Sequence, residues 1–364
     1  MIAKPHHPLR RSRGFTLVEV MVALVVGMIS MLVVLQTFSV SEGLKRTTTG
    51  NDDAQMGGAV ALYTLEHDIS QAGFGISSAG LIGCSVTLRA GLTVTLAPLT
   101  INPPTTLIPA GDANTDTLLV AYGNTIGPTE GDLIAAQPST PVYAMQSPTS
   151  INKNDWVIAA PQTRPASCNL ILDKVSAAPA LNNVTVGTGV AGLPMLPQPN
   201  GSILYDLGQA ATIIGYAVRG GNLTTCSFTD TTKNCTSSSA TNWAPIAGNI
   251  SSLRALYGRD TNAGIMTDIV DTWDQSTPTS ACNWVRTSAV TLVLVARNSE
   301  FDKTTLTATA PVWFGSSQPA PVNIDLSGNA GLAAGATWKN YRYKLYTTVA
   351  PLRNVTWMGV VSGC

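Results

Sequence analysis

The sequence predicts an α+β protein: one long N-terminal helix, apolar enough at its start to cross a membrane, followed by a globular domain of antiparallel β-sheet. Three observations carry this expectation. The run from Phe15 to Phe38 is almost wholly apolar, and at the helical rise it spans roughly 36 Å, enough for a hydrocarbon core of about 30 Å. No proline stands between Pro8 and Pro98, so a helix starting near Phe15 meets no strong breaker. After Gly75 the pattern turns to short β-branched runs separated by Gly, Pro, Asn and Ser, the sign of antiparallel strands.

Residues 1–14 form a basic leader with Lys4, Arg10, Arg11 and Arg13. Short basic segments stay on the cytoplasmic side, and the downstream flank Glu42, Lys45, Arg46 has a smaller excess, so the body is expected in the periplasm or outside. Glu19 is the anomaly of the apolar run. A carboxylate in the hydrocarbon layer costs on the order of 2.5 to 3.5 kcal/mol even on lenient scales. Either it reaches water near the interface, or a cation neutralises it. Cleavage after Gly14 would create such a cation, the α-amino group of Phe15, in this subunit or a neighbour.

Beyond the membrane run (15–38), Leu62, Leu65, Ile69 and Ala72 fall at helical spacing, with Glu66, Asp68 and Gln71 turned away, and Gly73 and Gly75 supply a stop. Gly43, Gly50 and Gly57-Gly58 weaken the join, each by roughly 1 kcal/mol against alanine. A bend or partial melting between about 43 and 58 is therefore expected. The helical region occupies 15–75 and the β domain 76–364. Strands are predicted at 117–122, 155–160, 170–175, 212–219, 223–228, 250–257, 289–297 and 341–349, with a hairpin turn at Gly220-Gly221-Asn222. Segments 91–112, 124–150, 176–200 and 315–337 are rich in Pro, Thr and Gly and are expected as long loops.

Composition narrows the function. The chain is 45% hydrophobic but only 12% charged, and its polarity comes from Thr, Ser, Asn and Gly, as suits an exported β-rich protein. No basic stripe follows the leader, which argues against nucleic acid. Six cysteines, Cys84, Cys168, Cys226, Cys235, Cys282 and Cys364, fit an oxidising compartment. Cys226 and Cys235, enclosing a short loop after a hairpin, are the favoured pair, at about 2 to 3 kcal/mol for the bridge.

Catalytic motifs are scarce. Of three histidines, His6 and His7 belong to the leader and His67 sits on the predicted helix, so a Ser-His-Asp triad or a His-rich zinc site is not expected. The chain is read as a non-enzyme. Gly187-Thr188-Gly189-Val190-Ala191-Gly192 fits a dinucleotide fingerprint by letter, but Pro194 and Pro197 stand where its helix should propagate, so it is read as a loop. Asp260, Asn262, Asp268 and Asp271 place oxygen donors at intervals reminiscent of a calcium loop, the one cofactor the sequence suggests. Gly264 and Ile265 depart from that pattern, and an Asx-rich turn is the preferred expectation.

The stretch Gly14-Phe15-Thr16-Leu17-Val18-Glu19, continuing Val20-Met21-Val22-Ala23-Leu24, resembles the class III signal of type IV prepilins. The resemblance implies cleavage between Gly14 and Phe15 by prepilin peptidase and N-methylation of Phe15. It also implies that Glu19 neutralises the Phe15 amine of an adjacent subunit during assembly. The rival is an ordinary secretory signal with a small-x-small site at Ser39-Val40-Ser41, although the apolar run is longer than the usual h-region of about 7 to 15 residues.

Three body segments resemble PilW-like minor pilins: Thr64 to Phe74, Leu256 to Asn262 and Tyr341 to Asn354. That likeness implies a type IV pilin-like fold and a part in pilus assembly, in a priming or tip complex. The implied partners are other minor and major pilins, prepilin peptidase and the inner-membrane assembly platform. The implied location is the inner membrane with the body in the periplasm, then the pilus outside the cell. A minor pseudopilin of a type II secretion system, and a tip adhesin binding through the loops at 91–200, are the alternatives.

Overall fold

The computed structural model describes residues 14–139, 141–147, 149–187, 201–314 and 322–364, except the side chains of 46, 47, 49 and 51. Leader residues 1–13 and the glycine-rich motif from Thr188 onward lie outside the described residues. The chain forms an N-terminal helix followed by a mostly antiparallel β domain, and divides into two compact units, 1–51 and 52–364.

Helix α1 covers Leu17–Gln71. The strands that follow are β1 (Ser85–Arg89), β2 (Leu92–Thr95), β3 (Leu99–Ile101), β4 (Leu118–Tyr122), β5 (Asp132–Ser139), β6 (Val142–Met145), β7 (Trp156–Ala160), β8 (Asn169–Lys174) and β9 (Asn183–Thr185). Next come β10 (Ile203–Gly208), β11 (Thr212–Arg219), β12 (Asn222–Ser227), β13 (Ala244–Gly248), β14 (Ile250–Arg259) and β15 (Thr272–Asp274). The chain closes with α2 (Ala281–Val285), β16 (Thr287–Arg297), β17 (Val312–Trp313), β18 (Val322–Asn323), β19 (Tyr343–Pro351) and α3 (Arg353–Thr356).

One sheet is ordered β2-β1-β8-β7-β10-β5-β6-β9, a second β13-β12-β11-β4-β3 and a third β15-β14-β16-β19, with β17 and β18 forming a small ribbon. The β1–β8 pair is parallel. Each of the eight predicted strands has an observed counterpart. Between β11 and β12, Arg219 faces Asn222, and Gly220 and Gly221 adopt φ of 58° and 74°, the left-handed pair that a tight hairpin of this twist needs. The expected loops are less open than their composition implies. They hold β2, β3, β5, β6, β9 and β18, mostly strands too short for a two-residue period to stand out.

The expected partial melting of α1 between 43 and 58 is corrected, because residues Leu17–Gln71 are helical throughout. Packing explains the glycine pair. A Cβ on Gly58 would lie 2.2 Å from the Tyr346 ring, and one on Gly57 would lie 2.7 Å from the Gly248 carbonyl oxygen. The propensity penalty of about 1 kcal/mol per glycine is offset by this close approach, which a larger residue would prevent.

Within the second unit, Ala61, Leu65 and Ile69 of α1, and Ala72 just after it, are fully buried against Leu118, Val120, Tyr216, Leu253, Leu292 and Leu294 of the second and third sheets. Burying Leu65 or Ile69 is worth about 1.5 to 3 kcal/mol each. Trp156, Leu172, Tyr205, Phe228 and Trp243 help to fill a further core between the first and second sheets. Cys226 is bonded to Cys235, Cys84 to Cys168 and Cys282 to Cys364.

Candidate assembly interface

The helix opens at Thr16. Its hydroxyl accepts the Glu19 N–H at 3.3 Å, and Glu19 Oε2 accepts the Thr16 N–H at 3.2 Å. This reciprocal capping box satisfies helix-end donors, so Glu19 holds a local structural place that the charge argument alone did not anticipate. Before it, Phe15 is 84% exposed and nothing crowds the position of a Cβ on Gly14. The backbone around the predicted cleavage point is open.

From Leu17 to Lys45 the helix is long and apolar enough to cross a membrane, and none of its most apolar stretch is buried. The span exceeds the expected 15–38 because Val40 and Leu44 extend the apolar pattern. A contiguous exposed apolar surface of this extent marks contact with lipid or protein.

The second half of α1 is held by a polar clamp that the sequence reading missed. Asp68, expected to turn away from the core, accepts hydrogen bonds from the Tyr216 hydroxyl on Oδ2 and from the Tyr122 hydroxyl on Oδ1 at 3.1 Å. The signal was its spacing. Asp68 lies three residues after Leu65 and seven after Ala61, on the same helical face. Burial, followed by the charge of Asp68, pushes the Tyr122 hydroxyl up to about 12 and raises that of Tyr216 strongly. At the helix end, Asn354 Nδ2 donates to the Gln71 and Ala72 carbonyls at 3.0 Å each. Gly73 follows at φ 88°, closing the helix as a left-handed cap.

In the suggested calcium loop, Asp260 and Asp271 accept local hydrogen bonds. Asp260 accepts from the Asn262 and Thr267 backbone N–H groups and from both side chains. Its carboxyl is raised by burial but held down by these bonds, to about 2. Asp271 accepts from Thr261 N–H at 2.9 Å and from the Thr261 and Thr272 hydroxyls. Asp268 stands exposed, in a left-handed conformation. Among the described residues no three carboxylate, histidine or cysteine side chains gather as a metal would need. The geometry is that of Asx-type turns bracing a loop. His67 lies on the helix surface, its side chain 53% exposed beside Asp68.

The family described as Type IV Pilus-assembly protein W matches residues 216–354, and the prokaryotic N-terminal methylation motif matches residues 9–35. The chain is a type IV pilin-like PilW protein. The PilW match begins at Tyr216 and ends at Asn354, so it spans two side chains that hold α1. The methylation motif contains Gly14, Phe15 and Glu19. Comparison with curated proteins and with solved structures finds no significant match. As a PilW protein the chain is a minor pilin of type IV pilus assembly, from a generally structural family, anchored in a membrane through its N-terminal helix.

Proposed function

We propose that prepilin peptidase cleaves the chain between Gly14 and Phe15 and that Phe15 is then N-methylated. The apolar half of α1 stays in the inner membrane with the β domain in the periplasm. The subunit then joins other minor and major pilins on the assembly platform, primes the filament and remains at its tip. Its work is assembly, not catalysis, and a chain of this bulk suits an end of a thin fibre better than a repeated position along it. The observation that supports this most is the uncovered apolar surface from Leu17 to Lys45, which is continuous in one helix with a docked half.

Glu19 gives the proposal its sharpest test. Its carboxylate sits at the helix start, where the amine of a trimmed Phe15 in this or a neighbouring subunit would meet it, and removing it from water unpaired is costly. Glu19→Ala is expected to be processed normally but incorporated poorly into pili. Glu19→Gln, which keeps an acceptor for the capping box, is expected to fail equally. Normal piliation by either variant would remove the charge-pairing argument.

A further inference from the structure

Among the described residues, strand β19 is the long unpaired edge of the third sheet. The other terminal strands of the three sheets are shorter: β2 has four residues, β3, β9 and β15 have three each, and β13 has five with a register shift and Pro245. Strand β19 has nine residues, with a proline only at its last position, Pro351, and pairs with β16 without any register shift. Proteins ordinarily shorten, bulge or cover such edges, because a row of unpaired N–H and C=O groups is a template for another strand.

The register identifies the unpaired groups. Leu352 N–H donates to the Ser288 carbonyl, and Asn298 N–H donates to the Arg342 carbonyl, so the even-numbered residues of β19 are bonded to β16. In an antiparallel ladder the alternate residues face outward. Tyr343, Leu345, Thr347 and Val349 therefore direct N–H and C=O away from the sheet, and no other described element pairs with them. Thr347 and Val349 are exposed, Val349 by 56%.

Charge selects the occupant. Arg342 and Lys344 share one face at the start of this edge, and neither has a carboxylate partner among the described ion pairs. Lys344 Nζ instead lies over the Tyr346 ring, 5.4 Å from its centre. We propose that the outer edge of β19 docks an extended, acidic strand of a partner chain by β-augmentation. Main-chain bonds to the four outward residues supply the affinity, an acidic residue meets Lys344, and β-branched side chains lie beside Leu345 and Val349. The inference stands apart from the processing and tip assignments above.

The test uses the full chain in detergent with two labelled nonapeptides, one alternating Glu and Val and one alternating Lys and Val. The acidic peptide is expected to bind at least about tenfold tighter and to slow hydrogen exchange at the amides of Tyr343, Leu345, Thr347 and Val349. Thr347→Pro removes an outward N–H without touching the ladder to β16, so it is expected to abolish binding and leave Tm nearly unchanged. An acidic peptide N-methylated at alternate backbone nitrogens is expected to lose binding to the unaltered protein, a test independent of whether Thr347→Pro folds. Equal binding of both peptides, or retained binding after N-methylation, would overturn the proposal. Edge amides already protected in the free protein, more so at higher concentration, would also overturn it and assign the edge to a second copy.

Discussion

Between Leu17 and Lys45, α1 leaves side chains such as Met28 and Phe38 exposed by 71% and 73%, whereas from 52 to 71 it buries Ala61, Leu65 and Ile69 completely. The backbone is the same helix throughout. The difference lies in the pattern: apolar residues surround the first half, while the second buries one face through Ala61, Leu65 and Ile69 and leaves Met56, Val60, Tyr63, Glu66 and His67 outside. A helix apolar all round needs a nonpolar or protein environment along its whole circumference, while an amphipathic one needs a single packed face. The comparison teaches that one element serves two tasks, carrying the β domain through its docked half and presenting an unsatisfied surface through the other.

Equal substitutions in the two halves should therefore have unequal effects. Leu65→Ala is expected to destabilise the β domain by about 2 to 5 kcal/mol, read by chemical unfolding, because a fully buried side chain leaves a cavity. Leu32→Ala, at a position 60% exposed, is expected to leave the unfolding midpoint unchanged. Similar losses in both would break the contrast.

Next in size comes the clamp. Asp68→Ala strands the buried Tyr216 hydroxyl and is expected to cost about 1 to 3 kcal/mol. The clamp also carries a pH dependence of fixed sign. The Tyr122 hydroxyl stands at about 12 when folded, against 10.0 unperturbed, so its contribution is fully present below pH 10 and is lost as pH rises toward 12. Unfolding free energy should fall across that window, and Tyr122→Phe should flatten the fall. An unchanged profile in that variant would detach the effect from Tyr122.

Smallest is the glycine comparison. Gly58→Ala pushes a Cβ into the Tyr346 ring and is expected to cost about 1 to 3 kcal/mol, partly offset by a propensity gain of about 1 kcal/mol. Gly27→Ala and Gly43→Ala meet nothing within 4 Å and should be neutral in the unfolding of the β domain. A stabilised Gly58→Ala variant would restore the idea that these glycines only weaken the helix.

Much of this architecture was legible because its signals are periodic. The apolar run, the Leu65–Ile69–Ala72 face and strands such as β11, β16 and β19 all repeat at helical or strand spacing. What stayed hidden depends on partners distant in the chain. Gly57-Gly58 read as a weakness because Tyr346 lies nearly 300 residues away, and Asp68 read as solvent-facing because its partners Tyr122 and Tyr216 come from two later strands. Cys226–Cys235 was readable from its short loop, with a separation of 9, whereas the other two bridges close 84 and 82 residues and spacing gives no basis for choosing them. At the N-terminus, Glu19 stood out by its charge, but its hydrogen bonds with Thr16 needed the helix start to be placed.

The central claim is that the exposed apolar half of α1 stays on the mature protein once the leader has been removed. Mass spectrometry of the N-terminal peptide from the native protein tests it directly. The account predicts a peptide beginning at Phe15 and carrying one added methyl group. A mature chain beginning at Glu42, with the apolar run gone, would contradict it.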